Sequence, residues 1–71
     1  MQTLVFNTTD KTVNVYSGQV SESDLIFQFE NVLTDKIYES GFYEVIQKDN
    51  EGMGMPILRL PICSTNMRIV K

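Results

Sequence analysis

The sequence predicts an all-β protein, a small antiparallel barrel or curled sheet of five to six strands with room for a short helical turn. Three observations carry this. Residues 41–71 read as strand, turn, strand, short break, strand, with Asp49-Asn50-Glu51-Gly52 and Ser64-Thr65-Asn66 as the punctuation. Residues 11–16 alternate strictly, Val13 and Val15 against Thr12, Asn14 and Tyr16, which is the signature of a half-buried strand. Pro56 and Pro61 flank an apolar run; lacking an N–H, they belong at strand ends or on an edge strand.

Taken in order, Gln2 to Phe6 forms a first strand with Leu4 and Phe6 on one face. Asn7-Thr8-Thr9-Asp10 is a turn, because Asn and Asp side chains bond nearby backbone amides, and it closes a hairpin with the strand at 11–16. Ser17-Gly18 ends that strand. For residues 20–33 two readings stay open. Ser21 to Asp24 suit the cap of a helix running to Val32. The alternation of Leu25, Phe27 and Phe29 with Ile26, Gln28 and Glu30 suits a strand, which we favour. Thr34-Asp35-Lys36 is expected to turn or bulge, and Glu39-Ser40-Gly41 to break the chain. In the strand from Gly41 to Lys48, the set Tyr43 and Val45 should face inward, because the opposite choice buries Glu44. In the next strand Leu58, Leu60 and Ile62 should face in, with Ile57 and Arg59 outward.

Composition bounds the function. The 71 residues allow one domain, residues 1–71, with a modest core, since chains this short bury only about 60% of their unfolded surface. There is no run of roughly 18 apolar residues to span a bilayer. The first residues lack the basic-then-apolar pattern of a signal peptide, and one cysteine gives no disulfide framework. The expected compartment is therefore the cytoplasm, where Asn7-Thr8-Thr9 serves as a turn and not as a glycosylation site. Net charge is −3, and the six basic residues are scattered, so no stripe follows a phosphate backbone and nucleic acid is not an expected partner.

The chain has no histidine, which removes the commonest general base and metal ligand. With a single cysteine, neither a zinc site of usual composition nor a Cys–His nucleophile pair can be built. Cys63, after an apolar run, is expected as a buried or half-buried small hydrophobe. Gly52-Met53-Gly54 lacks the lysine and following helix of a phosphate-binding loop. We therefore expect no enzymatic activity, cofactor or metal.

From Asp24 onward the order of features resembles the Src-homology-3-like small β-barrel. The matching stretches are Asp24-Leu25-Ile26-Phe27, the aromatic pair Phe42-Tyr43, the hairpin Asp49-Asn50-Glu51-Gly52, Leu60-Pro61, and Ser64-Thr65-Asn66 before the last strand. The resemblance implies that Phe42 stands where that family has a groove aromatic and Pro61 where it has a groove proline. The aromatic-rich first-strand motif of the peptide-binding members is absent, so the resemblance implies the fold and not the ligand. In size, acidity and compact β pattern the whole chain is also similar to small proteins carried by tailed bacteriophages. That likeness implies a host protein as partner.

Two sets of residues stand out. Ile26, Phe42, Ile46 and Ile57 are expected to point outward from the sheet as an apolar patch that binds a partner protein or a second copy of the chain. Arg59 and Arg68, with Thr65 and Asn66, offer guanidinium groups beside polar side chains, a set suited to an anionic small molecule such as a nucleotide. The first set makes a protein-interaction module, acting as a modulator or inhibitor. The second makes a small-ligand binder. A self-assembling structural subunit is the third expectation.

Overall fold

In the computed structural model, residues 1–33 and 41–71 are described in full and residues 38–39 by their backbone. The expected turns at 34–36 and at 39–41 therefore lie wholly or partly outside the described residues. β1 (Gln2–Asn7) and β2 (Thr12–Tyr16) form the expected opening hairpin. Asn7 makes the turn: its Oδ1 accepts the amides of Thr9 and Asp10 at 3.0 and 2.9 Å. A single 3-10 turn (Glu22–Asp24) then leads into β3 (Leu25–Phe29), so the strand reading of this segment holds and the helix does not. The remaining strands are β4 (Val32–Leu33), β5 (Tyr38–Glu39), β6 (Phe42–Lys48), β7 (Gly54–Pro61) and β8 (Thr65–Val70). A second 3-10 turn (Ile62–Ser64) sits between β7 and β8.

The strands build two sheets. One runs β3-β2-β1-β8. In the other, β7 pairs the whole of β6, so β4 and β5 share the opposite edge of β6, one toward each end. The chain turns from the first sheet into the second at Asn31, whose left-handed φ of 61° is one that asparagine tolerates better than most residues. Backbone bonds from Val32 N to Lys11 O (2.9 Å) and from Lys48 N to Asn31 O (2.8 Å) hold this corner. The return passes through the Ile62–Ser64 turn, which delivers β8 alongside β1 in the same direction. That ladder is parallel, whereas the other pairs are antiparallel. A tight hairpin cannot join parallel neighbours, so β1 and β8 pair only because the rest of the chain lies between them.

The core lies between the two sheets. Leu4 is opposite Val15, and Phe6 opposite Val13. These four, with Val32 and Val45 from the second sheet, are fully or almost fully buried. Phe29, Tyr43, Ile57, Leu58, Leu60 and Met67 pack around them. Alternation thus grouped Leu4 with Phe6 and Val13 with Val15 correctly, and keeping Glu44 out of the core placed Tyr43 and Val45 correctly. The two prolines also sit where a missing N–H allows: Pro61 ends β7, and Pro56 lies beside a bulge on that edge strand.

Three local expectations are corrected. Ile57 does not point away from the core. Val45 pairs with Leu58 and Ile46 with Pro56, so Ile57 is the extra residue of a bulge. The bulge bends β7 and lets Ile57 and Leu58 both pack inward. Ile62 is not a core residue of β7. It opens the 3-10 turn, where its amide donates to Gly41 O at 2.9 Å and its side chain is exposed. Consequently the turn falls at Ile62–Ser64, and Thr65 and Asn66 already belong to β8. Cys63, in the middle of that turn, is exposed and not buried.

Candidate functional site

β3 is the outermost strand of its sheet, and among the described residues nothing pairs with its outer edge. Its side chains are unusually apolar for such a position. Leu25, Ile26 and Phe27 are 40%, 42% and 49% exposed. The reason is positional. Phe27 lies in one cross-strand row with Val15, Leu4 and Met67, in which Val15 and Leu4 are buried. Phe27 is the outer end of that row. It stacks on Phe29, with ring centroids 5.8 Å apart and planes 19° from parallel, which fixes its orientation without covering its outer side. A register shift between Val15 and Tyr16 leaves Ile26 as an extra residue on β3. Apolar side chains therefore occupy both faces of the strand.

Carboxylates bracket this segment. Glu22 and Asp24 precede it, and Glu30 follows. At the Glu30 end a shallow recess is lined by Asp10, Thr12, Glu30 and Asn31. Among the described residues these acids make no ion pair; the ion pair that does form joins Arg59 to Glu44.

The four expected patch residues do not come together. Ile26 is on β3, in the first sheet. Phe42 and Ile46 are on β6, in the second, and Ile57 packs against the core. Phe42 remains exposed, but its ring is partly capped by the Arg59 guanidinium, whose carbon lies 4.6 Å from the ring centroid. Arg59 Nε also lies 3.4 Å from a Glu44 carboxylate oxygen. One cation thus bridges an aromatic face and an acid on the outer side of the second sheet.

The anion-binding set divides as well. Asn66 and Arg68 share a groove with Thr3 and loop residues 18–20, a loop tied down where Thr3 Oγ1 donates to Gly18 O at 2.6 Å. Arg59 is engaged in the other sheet, so the two guanidinium groups do not converge. Thr65 is buried and turned away from Asn66 by alternation along β8, and its Oγ1 has no hydrogen-bond partner. A buried hydroxyl without a partner costs about 1–3 kcal/mol. Thr65→Val, which keeps the shape and removes that hydroxyl, should therefore stabilise the protein by about 1 kcal/mol, a rise of about 4–8 °C in Tm for a domain of this size. Thermal unfolding by circular dichroism checks this, and a lower Tm would mean that the hydroxyl is satisfied.

The β3 edge was not singled out from the sequence, although a signal existed. An apolar run on both faces of a strand, closed at each end by acids, is the pattern by which edge strands are kept from aggregating. No helix among the described residues is long and apolar enough to cross a membrane. No known family model, curated protein or solved structure matches this chain.

Proposed function

We propose that this protein is a non-enzymatic interaction module that docks another protein through the edge strand β3. The observation that supports this reading is the run Leu25, Ile26 and Phe27, each 40% or more exposed on a strand whose outer edge is unpaired among the described residues. Contiguous apolar surface on a small domain marks association, and an open strand edge supplies backbone hydrogen bonds to go with it. On this reading the partner is a host protein in the cytoplasm. The mechanism is steric: the module occupies a surface that the partner needs, and the bracketing acids select a basic counterpart.

Phe27→Lys tests this, because Phe27 is about half exposed and its replacement leaves the buried core intact. In affinity capture, wild type and Phe42→Glu should retain one partner in fixed stoichiometry, and Phe27→Lys should lose it while keeping a native far-ultraviolet spectrum. Undiminished capture by folded Phe27→Lys would refute docking through β3. Loss with Phe42→Glu instead would return the site to the second sheet.

A further inference from the structure

We infer that the occupant of the β3 edge is an extended segment of the partner protein, apolar in its middle and carrying Lys or Arg at its ends, which adds to the sheet beside β3. This rests on the docking reading above and narrows it to one kind of ligand.

The backbone of β3 dictates the conformation of the occupant. One side of the strand is bonded to β2, and the outward-facing N–H and C=O groups of the other side have no partner among the described residues. An extended chain satisfies them in register, whereas a helix presents no free backbone groups to do so. Side chains of an added strand alternate between the two faces. Both faces of β3 meet them with apolar surface, Leu25, Ile26 and Phe27 being exposed.

The charges choose between a second copy of this chain and a different protein. An antiparallel pair of β3 strands centred on Phe27 brings Asp24, in the 3-10 turn just before the strand, to the end where Glu30 follows β3 of the second copy, twice over. A parallel, in-register pair sets each acid beside its own counterpart. Either arrangement gathers like charges at the ends of the ladder, which is destabilising. A segment with basic ends reverses the sign at every one of these positions. At the Glu30 end it also finds the recess lined by Asp10 and Glu30, two carboxylates that make no ion pair among the described residues. The acids thus disfavour self-pairing and recruit a basic partner through the same contacts.

The test titrates the isotopically labelled chain with three capped peptides: Lys-Lys-Val-Thr-Val-Thr-Val-Lys, the same peptide with Glu in place of every Lys, and the Lys form with its central Val replaced by Pro. The Lys peptide should bind about tenfold more tightly than the Glu peptide at low salt, a preference that shrinks as salt is added. It should protect β3 amides from exchange, and the Pro form should not bind. Asp24→Lys combined with Glu30→Lys should invert the charge preference. Equal affinity for the Lys and Glu peptides would overturn the basic-ended occupant. Equal binding of the Pro form, or shifts confined to other strands, would overturn strand addition. A dimer in sedimentation whose β3 amides are protected would make a second copy the occupant and overturn it too. If no peptide binds while Phe27→Lys still abolishes partner capture, the inference fails and the docking reading survives. If Phe27→Lys leaves capture unchanged, the docking reading itself has failed.

Discussion

Phe6→Ala is expected to lower the thermal midpoint by about 12–40 °C, the largest effect of any single truncation among the described core residues. Among the described residues Phe6 is the bulkiest of the fully buried side chains. It lies in the middle of its sheet, opposite Val13 on one side and Ile69 on the other. Truncating a buried Phe costs about 3–5 kcal/mol, because lost transfer energy and a residual cavity add. At 0.05–0.15 kcal/mol per residue, a 71-residue chain has about 4–11 kcal/mol of stability in total. The substitution therefore removes a large share of it. The surroundings cannot collapse into the gap cheaply, since Leu4, Val13 and Val15 are held by ladder bonds in both neighbouring strands. Phe27→Ala is the useful control. It removes the same ring from the half-exposed end of the adjacent row and should cost far less. Urea melts of the two variants check the contrast. Equal losses would mean that the edge of the sheet carries as much of the stability as the layer between the sheets.

Gly54→Ala is expected to destabilise the fold by about 1–2 kcal/mol, although alanine normally stabilises a strand relative to glycine. A Cβ at this position would lie 2.9 Å from Ile46 Cγ2 and 3.4 Å from Leu33 Cδ1. The Ile46 methyl branches directly from its Cβ and has little freedom to move away. Overpacking of this kind typically costs about 1–3 kcal/mol, offset in part by about 0.4–1 kcal/mol from the stiffer unfolded chain. Ile46→Leu moves the branch one carbon outward. The double variant should then lose less than the sum of the singles, and chemical denaturation of all four proteins reads that coupling directly. Strict additivity would show that the close approach is relaxed some other way. Gly52 differs in kind: nothing lies near its missing Cβ, and its φ of 81° is what favours glycine there.

Much of the fold could be read one strand at a time. Alternation is a property of a single strand, so it grouped Leu4 with Phe6 and Val13 with Val15 without reference to any neighbour, and the charge of Glu44 chose Tyr43 and Val45 as the inward pair of β6. Turn chemistry is equally local. Asn7 accepts two amides of its own turn, and Asp49 Oδ1 accepts those of Glu51 and Met53, both at 2.9 Å. The prolines marked strand ends or an edge strand, because a missing N–H is excluded from a central ladder, and β7 proves to carry them on such an edge. The all-β class, the opening hairpin and the long β6–β7 hairpin were therefore determined by the sequence alone.

The site was not legible in the same way, because it depends on which neighbour each strand acquires. β3 and β2 are of equal length and each alternates, yet Val13 and Val15 are buried while Phe27 is half exposed. The difference is that, among the described residues, β2 has strands on both sides and β3 on one. A one-residue bulge opposite Val45 turned Ile57 inward, which no pattern along β7 announces. Arg59 looked free for an anion until β6 and β7 paired in a register that set Glu44 opposite it and brought Phe42 beneath its guanidinium. Residue order determines the period of a strand and the places where it must stop. Position in a sheet, slips of register and the closing of β8 onto β1 are settled by contacts between residues far apart in the chain. Those contacts decided which apolar side chains became core and which were left as surface.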